Sequence, residues 1–148
     1  MTDRKLYTLE QANRTLPLVR RIAEDIVVQY RRWQERVREF EIVTTRSRAD
    51  LPDARAESIQ RDVQALAAEI DGFVAELAEL GVEFKDYERG LVDFPGESAG
   101  HPVYLCWQLG EPEIGYWHEM DAGFPGRQPI RTLGAPRADA SPESDRTR

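Results

Sequence analysis

Two matched apolar stripes, lying on either side of one irregular stretch, constrain this chain more than anything else in it. Val19, Ala23, Ile26, Tyr30, Trp33, Val37 and Phe40 alternate four and three residues apart, and Ile59, Val63, Leu66, Ile70, Phe73, Leu77 and Leu80 repeat the alternation. That spacing keeps each set on one face of a helix. Between the stripes, Thr44 to Ala54 has no period and carries Thr-Thr, Ser47, Asp50 and Leu51-Pro52-Asp53, residues that suit a connection. The pattern predicts an antiparallel helical hairpin with coiled-coil packing over residues 8–81. A helix of about 25 residues is ~38 Å long, more than a small sheet can cover, so part of the hairpin should project or meet a second copy.

The ends of the hairpin carry their own signals. Thr8-Leu9-Glu10-Gln11 is a capping box, in which the threonine hydroxyl faces the Gln11 amide and the Gln11 side chain reaches back. Pro17 lacks a donor and crowds the preceding turn. A break is therefore expected near Arg14 to Leu16, with Pro17 opening the longer helix. Gly81 stands where a left-handed helix cap would fall.

After Gly81 the period changes to two. Four strands are expected, Val82 to Asp86, Leu91 to Pro95, Val103 to Leu109 and Ile114 to Met120, joined by connections short enough for sequential antiparallel pairing. The fold class is α+β, a long helical hairpin packed on a four-stranded antiparallel meander at 82–130. Symmetric turns would place Phe84, Asp93, Leu105 and His118 in one row, and Asp86, Leu91, Trp107 and Tyr116 in the next. Asp93 and His118 then share a face with their backbones about 10 Å apart, two strand spacings, and a bound ion or small ligand could bridge them. In this register Trp117 lies opposite Trp107 and Tyr116, together with Tyr104 and Glu119. Residues 1–130 form one domain. The segment 131–148, with Gly134, Pro136, Pro142 and almost no apolar residue, is expected to be a disordered tail.

Charge is distributed unevenly. The formal net charge is −7, and residues 81–130 hold three basic against nine acidic side chains, whereas residues 1–80 hold 13 against 15. An acidic, aromatic module repels phosphate backbones and suits a protein partner or a small cationic ligand. The arginines of the first helix do not reverse this, because Glu24, Asp25, Glu35, Glu39 and Glu41 interleave with them. No nucleic acid is expected as a partner. Nor is a membrane, since no window approaches the roughly 20 apolar residues of a spanning helix and the N-terminus has no signal-like core. The single cysteine, Cys106, cannot form an internal disulfide and falls in an apolar strand pattern. It reads as a small buried hydrophobe in a reducing, cytoplasmic setting.

Candidate chemistry gathers between Gly90 and Ile130. His118 with Asp86, Asp93 and Glu119 offers ligand types that suit a divalent metal, with Asp93 and His118 as the candidates, although no His-Glu-x-x-His or paired cysteines occur. General acid–base catalysis would use His118, an orienting Asp93 or Asp86, and Arg127 or Lys85 holding an anionic substrate. The plainer reading pairs Arg127 with Asp93 or Glu119 and leaves His118 hydrogen-bonded at the margin of the core. His101, beside Pro102, is expected in an exposed loop. No P-loop, dinucleotide fingerprint or Gly-x-Ser-x-Gly is present. Asp86, Trp107, Tyr116, Trp117 and Glu119 make an acidic aromatic surface for a ligand or partner. The leading expectation is a non-enzymatic binding or assembly module, homodimeric through its helices. The alternative is a small metal-assisted or acid–base enzyme using Asp93, His118 and Arg127.

Three stretches, KLYTLEQANRTLP, ELGVEFKDYERGLVDFP and VYLCWQLGEPEIGYWHEMDAGFPGRQPI, resemble the pattern of an uncharacterised bacterial family, domain of unknown function 2203, over about residues 5 to 130. The resemblance implies a small soluble bacterial protein. It carries no activity, cofactor or catalytic residue with it.

Overall fold

The computed structural model describes residues 5–46 and 53–135. Helix α1 runs from Leu9 to Arg46 and α2 from Ala54 to Glu79. Five strands follow: β1 Glu83–Asp86, β2 Leu91–Ser98, β3 His101–Gln108, β4 Tyr116–Glu119 and β5 Gln128–Pro129. They form one antiparallel meander in the order β1-β2-β3-β4-β5. The architecture is thus the α+β hairpin on a meander, with one strand more than expected. The fifth is two residues long and contains a proline, so it has no period to read. Among the described residues, no helix is long and apolar enough to cross a membrane.

The capping box forms as its residues predict: the Gln11 amide donates to Thr8 Oγ1 at 3.1 Å and the Thr8 amide to Gln11 Oε1 at 3.0 Å. The break at Pro17 does not occur, and α1 is one continuous helix through it. Pro17 is exposed, while Ala12, Leu16, Val19 and Ile22 on the opposite side are buried. Packing on that face outweighs one lost backbone bond. At the other end, Gly81 takes a left-handed φ of 80°. Its amide bonds Ala78 and the Val82 amide bonds Leu77, which are the two bonds of a Schellman cap closed by buried Leu77 and Val82. The connection between the helices is also shorter than the residues suggest. Thr44 and Thr45 are still helical, their hydroxyls donating to the Phe40 and Glu41 carbonyls, and Asp53 caps α2 through the amides of Arg55 and Ala56.

The core lies between the sheet and the sheet-proximal half of the hairpin. Val19, Ala23 and Ile26 are buried there with Val92, Phe94, Val103, Leu105, Trp107 and Trp117. Farther along the hairpin Trp33, Val37, Phe40, Val63 and Leu66 are half-buried. At 38 residues α1 is about 57 Å long against about 27 Å for an eight-residue strand, so the distal hairpin extends past the sheet. The chain before α1 is tied to the sheet as well, the Tyr7 amide donating to the Pro95 carbonyl at 2.7 Å.

The register differs by one residue at both central junctions. Asp93 pairs with Cys106 and not Leu105, and Leu105 pairs with Trp117 and not His118. The first slip has a local cause. β2 and β3 run on to a two-residue turn, Ala99 (φ 51°) and Gly100 (φ 84°), both in the positive-φ conformation that a tight hairpin of this hand needs. The expected long loop from Gly96 to Pro102 is mostly strand. Because each slip flips the parity once, the two together leave Asp93 and His118 on one face, whereas Trp107 and Tyr116, separated by one slip alone, no longer share a face.

The folded unit also reaches beyond residue 130. The Trp117 indole donates to Thr132 Oγ1 at 2.9 Å, the Gly134 amide donates to Ser98 Oγ at 2.8 Å, and Leu133 packs against the core. Residues 131–135, expected to begin the tail, therefore belong to the fold. The remainder of that tail lies outside the described residues.

Candidate functional site

Alternation along β2, β3 and β4 sends one set of side chains toward the helices and the other to the outer face. The inner set is apolar: Val92, Phe94, Val103, Leu105, Trp107 and Trp117. The outer set includes Asp93, Tyr104, Cys106, Tyr116 and His118, by the pairings Asp93 with Cys106, Cys106 with Tyr116 and Tyr104 with His118. Three of these carry chemistry and are sealed from solvent, with Asp93 and His118 each 2% exposed and Cys106 0%.

They converge. His118 Nε2 lies 3.1 Å from Asp93 Oδ1, and His118 Nδ1 lies 2.8 Å from the Glu119 carbonyl oxygen. One ligand atom each from Asp93, Cys106 and His118 all lie within 4.8 Å of one another. The expected 10 Å gap between backbones is closed by side chains leaning along the diagonal. Burial opposes a charge on His118, but the Asp93 hydrogen bond, the Glu119 carbonyl and the Asp93 charge raise its pKa above the ordinary histidine value. The Cys106 thiol is pushed up to about 12, first by burial and then by the neighbouring Asp93 charge.

Two ion pairs flank the cluster. On the β1 side Lys85 Nζ meets Glu83 Oε1 at 3.1 Å, and Tyr104, whose ring centroid is 5.6 Å from that of His118, donates its hydroxyl to Glu83 Oε2 at 2.7 Å. On the β4 side Arg127 grips Glu111 with one nitrogen at 2.7 and 2.8 Å from its two oxygens. The Arg127 guanidinium stands 4.0 Å from the Tyr116 ring centroid and 4.9 Å from that of Phe124. The turn that carries Phe124, a single 3-10 turn at Phe124–Gly126, brings the chain back over β4 before β5.

Of the residues singled out in the sequence, Asp93 and His118 meet, and Arg127 stands near them but turned to Glu111, not to Asp93 or Glu119. Trp107 and Trp117 are buried against the helices, at 0% and 5% exposure, so neither belongs to an exposed surface. Tyr116 remains open at 39%. Asp86 accepts from the Glu88 and Arg89 amides and shapes the β1–β2 turn. Glu119 points to the helix side of β4 and binds His101 Nε2 at 3.0 Å. His101 is thus a strand residue with a partner, not an exposed loop residue. Cys106 is the member that sequence reasoning placed only in the core. Its signal was parity: whichever way the sheet faces, a register pairing Asp93 with Cys106 sets the thiol beside the carboxylate.

An open recess on the hairpin, lined by Arg36, Asp62, Ala65, Leu66, Ala68 and Glu69, offers less. Its charged walls are already joined, Arg36 to Asp62 at 2.8 Å. The comparisons with known proteins add a family but no function. No curated protein and no solved structure matches the chain significantly. A family described as "Uncharacterized conserved protein (DUF2203)" matches residues 5–130, most of the chain, and the chain belongs to that family.

Proposed function

We propose that the chain is a non-enzymatic binding module whose binding centre is the outer face of the sheet, around Asp93, Cys106 and His118. The cluster itself is the supporting observation. A carboxylate, an imidazole and a thiol are buried side by side on the face opposite the one that packs on α1 and α2. Well-packed apolar side chains of similar size would serve stability as well or better there, and such a local departure from the packing rule is where binding residues are found. The ligand class that suits the cluster is a small cation, met by the carboxylate of Asp93. The unpaired Cys106 fits a reducing compartment.

The acid–base alternative has less support. Arg127 is engaged by Glu111, and both nitrogens of His118 face acceptors, which favours holding protons over passing them on. A thiol at about 12 is no nucleophile at neutral pH.

Nuclear magnetic resonance of the His118 ring protons tests the reading, with divalent metal ions, polyamines and small carboxylates as titrants. A saturable shift that the folded Asp93→Asn variant loses supports it. No shift with any of the three classes would falsify it.

Self-association through the distal hairpin is a second reading, favoured by the half-buried Val37, Phe40 and Leu66, which are not among the residues packed on the core. Sedimentation velocity should then show a dimer that Val37→Asp dissociates, and a monomer at high concentration would dismiss it.

A further inference from the structure

We propose that Asp93, Cys106 and His118 are the protein ligands of one divalent transition-metal ion of the zinc type. This rests on the outer face being the binding centre and names its ligand.

The three donors come from three successive strands, β2, β3 and β4, and the register fixes two of them directly opposite one another. Tetrahedral ligands about 2.0–2.3 Å from zinc stand roughly 3.3–3.8 Å from each other. The observed set, all within 4.8 Å, with nitrogen and oxygen already at 3.1 Å, needs only side-chain adjustments to meet that shape. An ion would take the place of two protons released to solvent, the one that His118 and Asp93 now share and that of the Cys106 thiol.

His118 is oriented for the task. Its Nδ1 is committed to the Glu119 carbonyl at 2.8 Å, which leaves Nε2 as the ligating atom. A histidine that holds a metal through one nitrogen ordinarily donates the other to such an acceptor, which fixes both tautomer and ring plane. Donor chemistry then selects the ion. One thiolate, one imidazole and one carboxylate suit zinc or a similar first-row ion, and the sulfur argues against magnesium and calcium. The charges also balance, since a dication with one thiolate and one carboxylate is neutral, which a fully buried site requires. Three protein donors leave one tetrahedral position for water or a small molecule.

The test uses the intact chain, stripped with a chelator and titrated with Co2+ and then Zn2+. Because the chain has a single cysteine, a near-ultraviolet thiolate-to-cobalt charge-transfer band reports Cys106 without any variant. We expect that band to saturate at one equivalent, with visible bands of tetrahedral intensity, and Zn2+ to displace Co2+. Cys106→Ala should weaken Zn2+ binding by more than the roughly 10–100-fold that follows loss of a group merely hydrogen-bonded to a ligand. Stoichiometric cobalt without the thiolate band, or unchanged affinity in a folded Cys106→Ala, overturns the assignment. So does the absence of stoichiometric binding. If polyamines or carboxylates still move the His118 resonances when metals do not, the metal assignment fails and the binding module stands.

Discussion

The two faces of the sheet bury their central side chains by different means. On the inner face Val92, Phe94, Val103, Leu105, Trp107 and Trp117 meet the helices, and burial itself is the driving force. On the outer face Asp93, Cys106 and His118 are covered by neighbouring side chains, and each polar atom has to find a partner within the protein. The inner face is stabilised by area and the outer face by pairing. A change on the first should cost what is removed, whereas a change on the second should cost what is left behind.

The largest expected effect falls on the inner face. Trp107 is fully buried, pairs with Val92 and donates its indole to the Glu111 carbonyl at 2.9 Å. Trp107→Ala should cost about 3–5 kcal/mol, read as a lower urea midpoint. For a domain of ordinary stability that is a large share of the total. A loss under 1 kcal/mol would mean that the helices do not rest on this residue.

On the outer face, Asp93→Ala should cost about 3 kcal/mol, because it strands a buried imidazole that Asp93 now satisfies. The sharper experiment replaces both partners. If Asp93→Val with His118→Leu recovers most of that loss, the pair contributes little net stability, as expected of groups kept for a ligand. If the double variant is worse than either single change, the pair is a structural element and the contrast between the faces disappears.

This contrast also marks what could be read from the sequence. The inner face is a matter of periodicity, so the stripes through Val19 and Ile59 and the apolar strands through Val92 and Leu105 were legible, as was the cap at Gly81. The outer face depends on register, and register depends on turn geometry that Ser98-Ala99-Gly100-His101 does not announce with an Asn-Gly or Asp-Gly pair. One residue of slip puts Trp107 on the same face as Trp117, toward the helices, and brings Cys106 to Asp93. Pro17 was misread for another reason. Its local penalty is real, but long-range packing of Leu16 and Val19 outweighs it, and nothing local encodes that.

A pH profile of the metal-free chain separates the faces without a mutation. Burial and, less, the Lys85 charge from β1 oppose a charge on His118, but the hydrogen bond to Asp93 of β2, the Glu119 carbonyl and the Asp93 charge outweigh them and raise its pKa, while Tyr104 and Cys106 of β3 also face the ring. A raised basic group contributes stability that is complete below its unfolded pKa, about 6.5, and that is lost as pH rises through the folded value. Urea midpoints should therefore decline above neutral pH, and Asp93→Asn should flatten the decline. A profile in Asp93→Asn parallel to that of the native chain would locate the titration elsewhere. Val92, Phe94, Val103, Leu105, Trp107 and Trp117 of the inner face carry no titratable side chain and contribute no slope.

The smallest effect belongs to the cover of the outer face. Arg127 binds both oxygens of Glu111 and lies over Tyr116 and Phe124, with only 12% of its side chain exposed. Lysine keeps the charge but cannot offer a planar donor group that both binds the carboxylate and stacks on the rings. Arg127→Lys should therefore cost about 1 kcal/mol, the scale of a partly desolvated cation–π contact. The stability loss is less informative than where it appears. Hydrogen exchange should quicken in β4 and in the neighbouring part of β3, while Val92 and Phe94 at the centre of the inner face keep their protection. Uniform acceleration across the sheet would show that the two faces open as one unit, and that what covers Asp93, Cys106 and His118 is the fold as a whole and not the Arg127 cover.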